Sequence, residues 1–195
     1  DFNKAYNAYQ KMDTLNEALL KLYPNILYGK AALSINDGQN EKAYELFNQV
    51  KNLPYNQNII VQTHFWIGEL AYKMGRIDEA IENLEKYLIE PIEIGEITKK
   101  HANYTLGYCY LKNNNYSKAL QLFTVAADFN PYAESSPYQK DALIRLSDCQ
   151  FMTKQYKQAL KSYQKIIDLG WKFEDYANLQ KAIIYGALGL NKEKL

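Results

Sequence analysis

Apolar side chains recur along this chain at helical spacing, and the helices they predict come in pairs. Residues 61–73 carry apolar positions three and four apart, and Met74-Gly75-Arg76 makes a turn. Asp78 then opens a second helix with Ala80, Leu84, Tyr87 and Leu88 on one face. The next pair runs from Leu106-Gly107-Tyr108-Cys109-Tyr110, through a turn at 112–115, to Tyr116, Ala119 and Phe123. A further pair places Leu146-Ser147-Asp148-Cys149-Gln150 before a turn near Thr153-Lys154, then Tyr156, Ala159 and Tyr163. Pro54, Pro91 and Pro131 are expected to end second helices, with loops near 53–58, 91–96 and 130–137 between pairs. Pro24 interrupts the run Ala18-Leu19-Leu20-Lys21-Leu22, leaving open whether 14–23 extends a helix or forms its own turn.

The pairs share a register. Alanine recurs at Ala5, Ala43, Ala80, Ala119 and Ala159, about every 37 to 40 residues. Four places after each stands a large residue (Tyr9, Phe47, Leu84, Phe123, Tyr163). Twelve places before the last four stands a small one (Ala31, Gly68, Gly107, Ser147). Self-similarity at this period means stacked supersecondary units, none of which buries its hydrophobic face alone. Small residues facing alanines let the two helix axes approach to about 8–10 Å. The large residues are expected to fill the space against the following unit.

Ile67-Gly68, Leu106-Gly107, Gly75, Asp78-Glu79-Ala80, Tyr116, Ala119, Phe123, Ala126 and Pro131 resemble the tetratricopeptide repeat. The resemblance covers essentially the whole chain: a partial repeat over 1–13, repeats over 24–57, 61–94, 100–133 and 140–173, and a partial repeat over 175–195. It implies an all-α, right-handed superhelical solenoid of stacked helix-turn-helix repeats. The units here exceed the family's usual length of about 34 residues, and Lys194 stands where the final alanine belongs. The half-units at both ends suggest an excerpt of a larger bacterial array, in the cytoplasm or periplasm, with any signal segment lying outside it.

Charge and candidate chemistry narrow the function. The 23 basic and 22 acidic residues are mixed along the chain, so no basic stripe points to nucleic acid or an anionic membrane. No apolar run approaches the roughly 18 residues of a membrane span. Cys109 and Cys149 occupy equivalent places in consecutive units. That separation is on the order of 10 Å, beyond the Cα reach of a disulfide, so they read as buried hydrophobes. His64 and His101 have neither metal-ligand spacing nor a nucleophile partner. His64 reads as a packing residue. Gly186-Ala187-Leu188-Gly189 is a helix end, not a phosphate loop. No catalytic residue, metal or cofactor is expected.

In the family the first helices line the inner face. Here that face carries Tyr28, then Phe65, Trp66, Glu69 and Tyr72, then His101, Tyr104 and Tyr108, then Arg145 and Asp148. These ten are the expected peptide-binding residues, with Trp66 the foremost anchor. Asp141, Ile144, Tyr176, Leu179 and Ile183 project to the same face. Aromatics beside a few charges suit an extended peptide or partner helix. Of the positions that bind chaperone tails in one branch of the family, only Arg145 matches, so that ligand is disfavoured. The expectation is a non-catalytic protein–protein interaction scaffold. The alternatives are the recognition or regulatory region of a larger enzyme or sensor, and glycan binding by the aromatic strip.

Overall fold

The structure, a computed structural model, describes residues 1–12, 16–90, 98–128 and 136–189. Among these residues there are ten helices and no strand. The chain divides into two compact units, Asp1–Thr98 and Lys99–Leu195.

The first unit holds α1 (Phe2–Tyr9), α2 (Glu17–Asn36), α3 (Asn40–Lys51), α4 (Gln57–Lys73) and α5 (Ile77–Ile89). Each packs on the next in sequence. Leu27, Ala31, Ala43, Leu46, Phe47, Val50, Ile67 and Leu70 form its core, each large side chain contributing about 1.5–3 kcal/mol by burial. Gly68 sets the closeness of α4 and α5, because a Cβ there would lie 2.6 Å from Leu84 Cγ. Leu84 therefore sits against the first helix of its own pair. Phe47 does reach forward to the next pair, its ring parallel to Trp66.

Pro24 does not break the chain into two elements. Helix α2 runs from Glu17 to Asn36 with Pro24 buried inside it. Proline removes one helical hydrogen bond there, but both flanks are held by packing. Tyr23 stacks on Tyr9 at 3.9 Å, and Leu27 is fully buried.

The second unit holds α6 (Lys99–Lys112), α7 (Tyr116–Ala126), α8 (Pro137–Met152), α9 (Tyr156–Asp168) and α10 (Glu174–Ala187). Here too each helix packs on its successor. Gly107 admits Phe123 as Gly68 admits Leu84, with ring carbons 2.9 Å from a Cβ built there. Cys109 and Cys149 are both buried. Pro137, expected in a loop, is the first residue of α8, behind a capping box of Ser136 and Gln139. Its fixed φ suits that position, where a helical N–H has no partner. Pro54 follows α3 by three residues, whereas Pro91 and Pro131 lie outside the described residues.

The within-pair turns share one geometry. After α4, Gly75 has φ +76°, its N–H bonds Tyr72 O, and Arg76 N–H bonds Ala71 O. This Schellman closure demands a left-handed residue. In the second unit Asn114 (φ 54°) and Lys154 (φ 61°) occupy that place without being glycine.

Candidate functional site

In the first unit the aromatic face is tied down. The Tyr28 hydroxyl donates to Gln62 Oε1 at 2.9 Å and accepts from Trp66 Nε1 at 2.8 Å. Burial pushes the Tyr28 hydroxyl pKa up, while the Trp66 bond pulls it down. The half-buried Trp66 ring lies 6.2 Å from Phe47 and nearly parallel to it, so Trp66 is a packed residue and not an open anchor. Phe65 is corrected outright: it is 0% exposed and packs edge-on to Tyr87. Adjacent helical residues point about 100° apart, and Phe65 shares the inward face of Val61 and Gly68. Glu69 and Tyr72 are partly exposed. His64 holds its Nδ1 2.9 Å from Asn83 Oδ1. Asn83 Nδ2 donates to Glu79 O, so the histidine donates to the amide oxygen. Burial lowers its pKa, and the contact joins α4 to α5.

In the second unit the expected residues converge on α8. Asp141, Arg145 and Asp148 lie four and three places apart, on one helical face. Tyr104 and Tyr108, from α6, both donate to Asp141 Oδ2. Arg145 donates through Nη2 to Asp141 Oδ1 at 3.3 Å and through Nη1 to Asp148 Oδ2 at 3.0 Å. Its Nε donates to the Tyr108 hydroxyl at 2.8 Å. Asp148 Oδ1 accepts from Tyr163 of α9 at 2.7 Å and from Tyr176 of α10 at 2.8 Å. One carboxylate thus joins three helices. Two carboxylates and one guanidinium leave the cluster one net negative charge.

The electrostatics keep every hydroxyl protonated. Burial and then the neighbouring carboxylates push Tyr108 and Tyr176 up to about 12. Burial followed by Asp141 raises Tyr104, and burial followed by Asp148 raises Tyr163. Burial works against the Arg145 charge, but Asp141, Tyr108 and Asp148 outweigh it and raise its pKa. His101 stacks on Tyr138 with ring centroids 4.9 Å apart.

Beside this network lies a cavity of about 220 Å³, lined by Ile144, Arg145, Phe173 and Tyr176. Tyr176, Leu179 and Ile183 continue from it along one face of α10, with Leu179 58% exposed. A larger depression, about 560 Å³, lies among turn residues Asn113, Asn114, Asn115, Tyr116, Ser117, Met152 and Thr153. Its polar lining gives an apolar anchor little to bury against, so the smaller cavity is the better side-chain site.

Phe173 and Tyr163 are absent from the sequence-derived set. Nothing local marks Phe173, which precedes α10, and Tyr163 has the register of a packing residue. The Asp141-Arg145-Asp148 spacing was a legible signal for the cluster. Among the described residues every buried side-chain nitrogen or oxygen has a partner.

Comparison with known proteins agrees with this architecture. Residues 67–134 and 141–169 match two models, both described as tetratricopeptide repeat. The transcription activator GutR of Bacillus subtilis (strain 168) is 31% identical over 104 residues, which are 53% of this chain. The match spans only 12% of that relative's length. Among solved structures, YrrB, described as a TPR protein with an unusual peptide-binding site, aligns with a TM-score of 0.74 at 15% identity. That alignment covers 100% of this chain and 87% of YrrB. MamA from Desulfovibrio magneticus RS-1 aligns with a TM-score of 0.66 at 16% identity, over 88% of this chain and 89% of its own. At such identities the likeness shows the fold alone. Paired helices in an alanine register, two matching repeat models and these neighbours have one meaning: the chain is a tetratricopeptide-repeat protein, an all-α solenoid.

Proposed function

We propose that this chain is a non-catalytic protein–protein interaction scaffold that holds a peptide or partner helix against its first-helix face. The observation that carries the proposal is the cavity under Tyr176, continuous with the exposed stripe Tyr176, Leu179 and Ile183. A concave apolar site beside a few fixed polar groups is the general form of a side-chain-binding pocket. The cluster supports it by holding Arg145 and Tyr176, two walls of that pocket, in place.

Within the expected site, Arg145 lines the pocket, Asp148 holds the wall residue Tyr176, and Tyr104, Tyr108 and His101 form the aromatic ground beside them. Tyr28, Glu69 and Tyr72 make a second contact area on the first unit, whereas Trp66 is packed on Phe47 and Phe65 belongs to the core. The repeat boundaries set out above are part of the same proposal. So is a location in the cytoplasm or periplasm: among the described residues no helix is long and apolar enough to cross a membrane. The mixed surface charge supports protein partners over nucleic acid.

The test is selection of peptides from a displayed library, with affinities then measured by fluorescence polarisation. Leu179→Ser is expected to weaken the selected peptide about tenfold, the scale of one buried aliphatic contact, with far-UV circular dichroism unchanged. Unchanged affinity would remove the α10 stripe from the site, and failure to enrich any peptide would count against the scaffold reading.

The match to GutR favours a second reading, that this segment is the recognition region of a larger regulatory protein. Reading the full parent gene decides it: a DNA-binding or catalytic module in the same chain is the expected result, and a chain of repeats alone would contradict it.

A further inference from the structure

We infer that the α8–α10 face selects a peptide in which a lysine or arginine adjoins an aliphatic or aromatic side chain. This rests on the peptide-binding reading and adds the partner's chemistry. The cavity of about 220 Å³ has room for a single side chain, and Ile144, Phe173 and the Tyr176 ring make its walls apolar. The charge beside it is unbalanced. Asp141 and Asp148 share one guanidinium, and Tyr104, Tyr108, Tyr163 and Tyr176 spend their hydroxyl protons on those same carboxylates. Neutral donors satisfy hydrogen bonds without cancelling charge, so the cluster that supplies Arg145 and Tyr176 to the cavity wall keeps one net negative charge.

The charge of Arg145 is already more than offset by two carboxylates. Each of its three nitrogens already donates, to Tyr108, Asp148 and Asp141. The two N–H groups left on Nη1 and Nη2 sit in a cluster of net negative charge, so an incoming carboxylate would be a third like charge beside Asp141 and Asp148. An incoming ammonium or guanidinium displaces nothing and meets the exposed Tyr176 hydroxyl over Asp148. The opening of α10 has the same sign, since exposed Glu174 and Asp175 outnumber exposed Lys172. Lys140 is directed elsewhere, over the Trp171 ring at 5.7 Å, and Lys181 is bonded to Gln164. Charge complementarity of this kind fixes which partner is accepted more than how tightly it is held.

The experiment titrates the whole chain with three short Gly/Ser peptides, observed by amide NMR. One carries adjacent leucine and lysine, one leucine and glutamate, and one serine and lysine. The leucine–lysine peptide is expected to bind about tenfold tighter than the leucine–glutamate peptide, the discrimination available to a half-buried charge contact. Added salt is expected to narrow that gap, and Asp148→Asn to narrow it further. Because Asp148→Asn also disturbs three helices, Glu174→Gln and Asp175→Asn provide a surface control in which the gap shrinks with the fold intact. Equal binding of the lysine and glutamate peptides, both weakened by Leu179→Ser, would overturn the charge selection and leave the groove standing. Equal binding of the serine–lysine and leucine–lysine peptides would overturn the apolar half. No binding by any of the three, or binding indifferent to Leu179→Ser, would remove the groove reading and this inference with it.

Discussion

Gly68→Ala opposes two effects whose sizes are known. Alanine is favoured over glycine inside a helix by about 0.8–1.0 kcal/mol, so on an open face the change would stabilise α4. At this site the new Cβ lies 2.6 Å from Leu84 Cγ, 2.9 Å from its Cδ2 and 3.4 Å from Ala80 O. Comfortable carbon contact is about 3.5–4.0 Å, so roughly 1 Å of overlap must be relieved. Leu84 is 0% exposed and cannot swing into solvent. Overpacking of this kind costs about 1–3 kcal/mol, and the expected net is a destabilisation of about 1 kcal/mol. Leu84→Ala alone should cost about 2–5 kcal/mol. In that background Gly68→Ala meets no clash, regains its propensity and is expected to stabilise by about 1 kcal/mol. The sign change gives a coupling near 2 kcal/mol. Urea denaturation of the four proteins, followed by circular dichroism and tryptophan fluorescence, measures it. An equal stabilisation by Gly68→Ala in both backgrounds would refute the claim that the small residue sets the helix separation.

Other consequences are simpler to check. Lys154→Gly should raise the melting temperature, because a left-handed non-glycine residue costs about 1–2 kcal/mol, offset in part by glycine's greater freedom when unfolded; a lowered melting temperature would contradict the turn geometry. Cys109 and Cys149 are both buried, and burial followed by Asp148 pushes the Cys149 thiol up to about 12, so an aromatic disulfide reagent should label neither until the chain unfolds. Tyr108 and Tyr176, each pushed up to about 12 from 10, favour the folded state fully below pH 10 and lose that contribution as the pH climbs from 10 towards 12. Stability measured across that range should fall, and Tyr176→Phe should make the fall shallower.

The helix pairs were legible because a repeat restates its packing rule in each unit. Ala43, Ala80, Ala119 and Ala159 are all fully buried, and the small residues before them mark close approach. What escaped was whatever depended on a partner distant in sequence. Pro24 reads locally as a helix breaker, and only the packing of Tyr23 and Leu27 shows why α2 continues through it. Phe65 and Trp66 are neighbours in one projected strip, yet a single helical step sends Phe65 inward to Tyr87. Asp141, Arg145 and Asp148 announce a charged face on α8. That Tyr163 and Tyr176 would bring two further helices to the same carboxylate needed the tertiary fold. The turn at Lys154 was placed correctly, while its left-handed backbone has no local signal in a lysine.

The most direct test asks where a bound partner lies. A photoreactive benzoylphenylalanine placed at Leu179, on the α10 stripe, is compared with one placed at Ser117, in the polar depression by the α6–α7 turn. Each protein is irradiated with the library-selected peptide, and the products are analysed by mass spectrometry. Crosslinking from position 179 and not from position 117 is the expected result. Crosslinking from position 117 alone, or equally from both, would contradict a peptide site on the first-helix face.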